Sequence, residues 1–157
     1  MGHAAAVVLA LLIGVIAGLR AMTPLAAVSW AARLGRLPRE GSWLAFFGKA
    51  VTPWIFTALA IVELITDQLP GTPSRKVPIQ FGTRIVSGAL CGAALCQPGG
   101  AMIVGLFAGA VGGVIGTLGG AAARGKLATA FKSDRPAALL EDAVAIGGAL
   151  LITMVMR

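Results

Sequence analysis

Two acidic pairs sit where this chain is otherwise apolar. Glu63 and Asp67 are four residues apart in Ile61-Val62-Glu63-Leu64-Ile65-Thr66-Asp67, so on a helix they share a face. Glu141 and Asp142 lie just inside the last apolar run. A charge at bilayer depth costs roughly 2.5–3.5 kcal/mol on insertion scales, so it needs a partner or a purpose. The chemistry such carboxylates support is the binding of a cation or a proton, or charge balance for a cationic substrate. Arg20 and Arg84 are the basic residues nearest the apolar runs, and Arg124 and Lys126 precede the second acidic pair. Pairing Arg20 with Glu63 or Glu141 would lower its burial cost. The plainer readings are interfacial arginines, an interfacial Asp67 three residues before Pro70, and acidic residues that suit the start of a helix.

Those residues need helices to hold them. Of 157 residues 57% are hydrophobic and only 12% charged, against about a quarter charged in a soluble domain. Mean hydropathy is +0.89. No polar block is long enough for a soluble domain, so residues 1–157 read as one integral membrane domain. The fold class expected is all-α: a polytopic membrane helix bundle of about five spans, at 4–19, 50–69, 85–96, 101–123 and 137–156. The first helix is expected to break around Gly18–Thr23, because Pro24 disfavours helix at the residue before it. Pro24 to Leu34 then reads as a half-helix, a re-entrant segment or the rest of a kinked helix. Pro70 to Thr83 and Arg124 to Pro136 read as loops, and Trp43, Phe46 and Phe47 as an interfacial belt.

Glycines 105, 109, 112, 116 and 119 make one small-residue stripe on the fourth span, as Gly14 with Gly18 and Gly88 with Gly92 do elsewhere. Such faces let membrane helices approach closely. Gly14-Val15-Ile16-Ala17-Gly18-Leu19 resembles Gly113-Val114-Ile115-Gly116-Thr117-Leu118. With five spans, the halves 4–70 and 101–156, joined by 84–97, would form an inverted repeat of the kind duplicated transporters show.

The net charge of +7 would point to nucleic acid in a soluble protein. Here the basic residues edge the apolar runs without interleaved aromatics, which fits lipid headgroups and excludes a nucleic-acid surface. On a five-span count Arg20, Arg33, Arg36, Arg39, Lys49 and Arg157 face seven other basic residues, so charge bias sets no orientation. Cys91 and Cys96 read as buried apolar residues that do not pair. Gly120 to Lys126 spells G-x-x-x-x-G-K, but Leu127 follows where a nucleotide loop needs Ser or Thr. No hydrolase or metalloprotease motif occurs, so the chain is not expected to be an enzyme; a Mg²⁺-dependent lipid phosphotransferase on the two acidic pairs is the least favoured reading. No cofactor is expected, and whether a metal binds is open.

The run Glu63-x-x-x-Asp67-x-x-Pro70, then Arg84, Ala123-Arg124-Gly125-Lys126, Ser133 and Glu141-Asp142 resembles a family of small bacterial integral membrane proteins catalogued as a domain of unknown function. The resemblance covers about Gly14 to Ile152 and implies an all-helical membrane fold without an activity. A His before the lysine motif and a Ser-Pro-Glu-Pro stretch after it are absent here, so no proton relay through that His is expected. The site residues expected are Glu63, Asp67, Glu141, Asp142, Arg20, Arg84, Arg124 and Lys126. The function expected is a multi-pass bacterial inner-membrane transporter or channel, a homo-oligomer binding a small cation or proton. The alternative is an accessory or lipid-interacting membrane protein.

Overall fold

A computed structural model describes residues 2–37, 43–69, 77–97 and 100–156. Expectations for residues 38–42, 70–76, Pro98, Gly99 and Arg157 lie outside the described residues. The elements are α1 (His3–Leu19), α2 (Met22–Arg33), a 3-10 helix (Trp43–Gly48), α3 (Thr52–Thr66), α4 (Pro78–Cys96), α5 (Met102–Phe131) and α6 (Asp134–Val155). Among the described residues there is no strand, and the expected all-α bundle is what forms.

The helix break is sharper than a kink. Arg20 is extended (φ −140°, ψ 115°) and ends α1, and α2 begins two residues later. Pro24 falls in the first turn of α2, where a missing N–H costs nothing. Thr23 is therefore helical, and the break sits at Arg20–Ala21. The chain then reverses. Arg20 meets Asp142 at the start of α6, and Arg36, just past α2, donates to the Thr153 carbonyl at its end (3.4 Å). Hence α2 runs alongside α6 and back along α1. At 1.5 Å per residue its 12 residues span about 18 Å.

This is the broken, re-entrant first helix expected, and α2 is too short to cross a membrane by itself. Gly14 packs on Gly109, and Gly18 on Gly113, Gly116 and Thr117, so α1 and α5 run parallel. An inverted relation between residues 4–70 and 101–156 needs them antiparallel. Two expected loops are also helix: α4 starts at Pro78 rather than 85, and α5 runs through Arg124 to Phe131. Among the described residues three helices, α4, α5 and α6, are long and apolar enough to cross a membrane; α1 and α3 are shorter apolar helices.

The central packing is α1, α4 and α5 around a seam of glycine. A Cβ on Gly14, Gly88 or Gly109 would run into a neighbouring helix's backbone. Gly113 joins the seam, where an added Cβ would stand 3.0 Å from Arg84 O, whereas at Gly119 an added Cβ would meet open space. Gly119→Ala is therefore expected to be neutral or to stabilise by up to about 1 kcal/mol through helix propensity, read from the melting temperature in detergent. Cys91 and Cys96 are buried free thiols, as expected. Phe47, expected at the interface, is buried instead, stacked on Phe46 with centroids 4.4 Å apart. Outside, the bundle shows large apolar side chains such as Leu59, Val62, Phe107, Ile115 and Leu151. A soluble monomer does not expose so continuous an apolar surface.

Candidate functional site

Because the helices alternate in direction, the last turns of α1 and α3 and the first turns of α2, α4 and α6 meet at one end, joined by the far part of α5. The reversal at Arg20–Ala21 exposes two sets of unpaired backbone groups there: carbonyls ending α1 and amides beginning α2. Each set is met by opposite charge. Arg84 Nη1 donates to the carbonyls of Gly18 (3.0 Å) and Leu19 (2.5 Å). Ser87 Oγ donates to the Ala21 carbonyl (2.5 Å). The Glu63 carboxylate accepts the N–H groups of Ala21 and Met22, both at 2.8 Å. Both placements also suit the helix dipoles, with a cation at the end of α1 and an anion at the start of α2. Arg84 Nη2 and Glu63 Oε1 are themselves 3.7 Å apart.

Arg20 stands between these clamps and is fully buried. Its Nε donates to Asp142 Oδ1 (2.6 Å), and its Nη1 to Asp67 Oδ2. Its Nη2 lies 2.5 Å from Asp142 Oδ1 without the alignment of a hydrogen bond. A planar guanidinium can bridge two carboxylates in this way; an ammonium point charge cannot. Gln68 Nε2 donates to the other Asp142 oxygen (3.1 Å). Arg124 forks onto Asp134 (2.9 and 2.6 Å) and reaches Asp67 Oδ2 (3.2 Å) and Glu141 Oε2 (3.5 Å).

The structure thus brings seven of the eight expected residues together: Glu63, Asp67, Glu141, Asp142, Arg20, Arg84 and Arg124. Lys126 is exposed on α5, outside the group. The pairing differs from the expected one. Arg20 takes Asp67 and Asp142 rather than Glu63 or Glu141, and Arg84 takes Glu63. Asp67, which Pro70 made look interfacial, is shared by Arg20 and Arg124. It sits at the C-terminus of α3, where the helix dipole disfavours an anion, and the two arginines offset that. Sequence reasoning missed Asp134, Gln68 and Ser87 as partners. Asp134, the residue after the N-cap Ser133, goes to Arg124. The signal for Gln68 was its place beside Asp67 at the end of an apolar run.

Five of the chain's six acidic residues gather here with three arginines. Among the described residues no three His, Cys, Asp or Glu side chains are placed to hold a metal ion. A cavity of about 140 Å³ lies beside the group, lined by Leu19, Gly120, Ala123, Leu140 and, at its polar wall, Arg124 and Glu141.

Apolar helices with outward-facing hydrophobic side chains, closed round a buried ion-pair network, define a polytopic helical membrane protein. The chain belongs to the family described as Domain of unknown function (DUF4126), whose model matches residues 7–155. No curated protein and no solved structure matches it.

Proposed function

We propose that this is a small transporter or channel-like protein of the bacterial inner membrane, in which the carboxylates around Arg20 bind a cation or a proton. One observation carries the reading: five carboxylates face three guanidiniums around a helix reversal. Asp134 is solvent-exposed, so among the four largely buried carboxylates one negative charge is left over, and charge held away from water without compensation is costly. A bound cation or proton balances it. Asp67 and Glu141 are the groups to receive it, because Arg124 reaches both and Glu141 borders the cavity between α5 and α6. Neutralising Asp67 weakens its hold on Arg20 and Arg124 together, which loosens the end of α3 from α5. Discontinuous helices with charged ends are where secondary transporters bind their ions, an analogy of fold that supports the reading. A chain of this size would work as a homo-oligomer in contact with lipid.

A second reading has its own support. Each of these carboxylates already has a guanidinium within 4 Å, which fits an accessory or lipid-interacting protein whose ion pairs only lock its helices. Asp67→Asn separates the two. In vesicles holding the purified protein, proton or Na⁺ flux is expected in the wild type and a drop of at least about tenfold in Asp67→Asn, the loss of one full charge interaction. Flux absent from the wild type, or equal in both, would sink the transport reading. Glu63→Gln is expected to lower stability by about 1–3 kcal/mol under either, because an amide turns a donor toward one of two backbone N–H groups. Thermal melting in detergent reads that cost.

A further inference from the structure

On the flank of the bundle, below the charged end, α2, α3 and α6 leave a second cavity of about 260 Å³. It opens between α3 and α6, since α3 packs chiefly on α2 and the 3-10 helix. The lining is mostly apolar, four alanines (Ala26, Ala27, Ala60, Ala149) together with larger side chains such as Ile61, Leu64 and Ile146. Trp30 borders it, and its indole N–H is already given to Thr57 Oγ1 at 3.0 Å.

One polar group in this wall has no protein partner. Thr23 is 7% exposed, and its Oγ1 makes no hydrogen bond. The other helix threonines with a full turn before them do not behave so. Thr57, Thr66, Thr83, Thr117, Thr129 and Thr153 each donate to the carbonyl four residues back, at 2.7–3.0 Å. For Thr23 that carbonyl belongs to Leu19. It lies across the reversal, on α1, and is held by Arg84. The same break that builds the charged site therefore leaves a buried hydroxyl orphaned on the wall of an apolar cavity. A buried unpaired hydroxyl is costly, and ligand sites are apolar hollows with a few such placed groups.

We propose that this cavity is a binding site for a neutral, membrane-dissolved molecule that carries one hydrogen-bonding oxygen on a compact apolar body. The oxygen pairs with Thr23 Oγ1, which rotates from its closed-off position to meet it, and the body lies against the alanines of α2, α3 and α6. Among the described residues no charged side chain borders the cavity, which sets this ligand apart from the ion of the charged site. Its entry is sideways, from the bilayer.

The test uses Trp30 as reporter, in full-length protein in detergent carrying Trp43→Phe and Trp54→Phe. The probes are 4-bromobenzyl alcohol and 4-bromotoluene, whose bromine quenches indole fluorescence. Saturable quenching by the alcohol is expected. Thr23→Val, which keeps the shape and removes the hydroxyl, is expected to weaken the alcohol about fivefold, the worth of one hydrogen bond, and to leave the toluene unchanged. Ala60→Leu fills the hollow and is expected to abolish both; if that variant does not fold, the Thr23→Val comparison still decides. Equal affinity of the two probes, unchanged by Thr23→Val, would mean a plain groove for lipid chains and overturn the proposal. So would absent quenching, or linear quenching that survives Ala60→Leu, which is partition into detergent only.

Discussion

Arg20→Ala is expected to destabilise the protein by about 3–5 kcal/mol, the cost of removing one partner from a buried ion pair. The reason is what remains. Asp67 keeps Arg124 at 3.2 Å, but Asp142 keeps, among the described residues, only the Gln68 amide, and both carboxylates line the space the guanidinium vacated. Arg20 also has no route to water, being fully buried, so its contribution is not screened by solvent. Arg20→Lys is expected to fall between, because an ammonium cannot reach Asp67 and Asp142 with the same fork. Denaturant or thermal unfolding in detergent measures the series. A cost for Arg20→Ala of about 1 kcal/mol or less, the range of exposed pairs, would show that Arg20 does not hold this end together. The outcome bears on both functional readings, since each needs Arg20 to bind α3 to α6.

Gly109→Ala is the second large effect. Gly109 packs on the Gly88 carbonyl and Gly92 Cα of α4, while Gly14 of α1 packs on the Gly109 carbonyl. A methyl group there meets backbone, which cannot rotate away as a side chain does. The backbones of α4 and α5 must part for one carbon. Overpacking typically costs 1–3 kcal/mol; with backbone this close the expectation is about 3 kcal/mol. Gly119→Ala, ten residues along the same helix and facing open space, is the matched control. Equal melting temperatures for the two variants would show that the seam yields and that close approach is not what holds α1, α4 and α5. The site would feel the change as well, because Arg84 rides on α4 and reaches α1 only across that seam.

Much of this was legible from residue types. The apolar runs announced a membrane bundle, since apolar composition over some 20 residues is a local property that lipid reads directly. The two acidic pairs marked their own positions by being costly there. The glycine stripe was legible because small residues at three- and four-residue spacing share a helix face, although Gly119 shows that the stripe alone did not say which of its members is covered. Gly18, Arg20 and Pro24 signalled a break. They did not say how far the chain would turn at it, because the angle depends on what receives the broken ends.

That angle decided the rest. With a kink, α2 would continue α1, five spans would follow, and Arg20 would be left on the side opposite Arg84 and Arg124. With a reversal, α2 returns beside α6, α1 and α5 run parallel, and all the charges arrive at one end. The partners that make the reversal stable are Arg84 on the α1 carbonyls and Glu63 on the α2 amides, more than 40 residues away in sequence. So the residue types determined which side chains had to be paired, because unpaired charge in lipid is costly wherever it occurs. Only the tertiary structure decided which partner each one took, because pairing follows from which helix ends meet, and that was set by contacts distant along the chain.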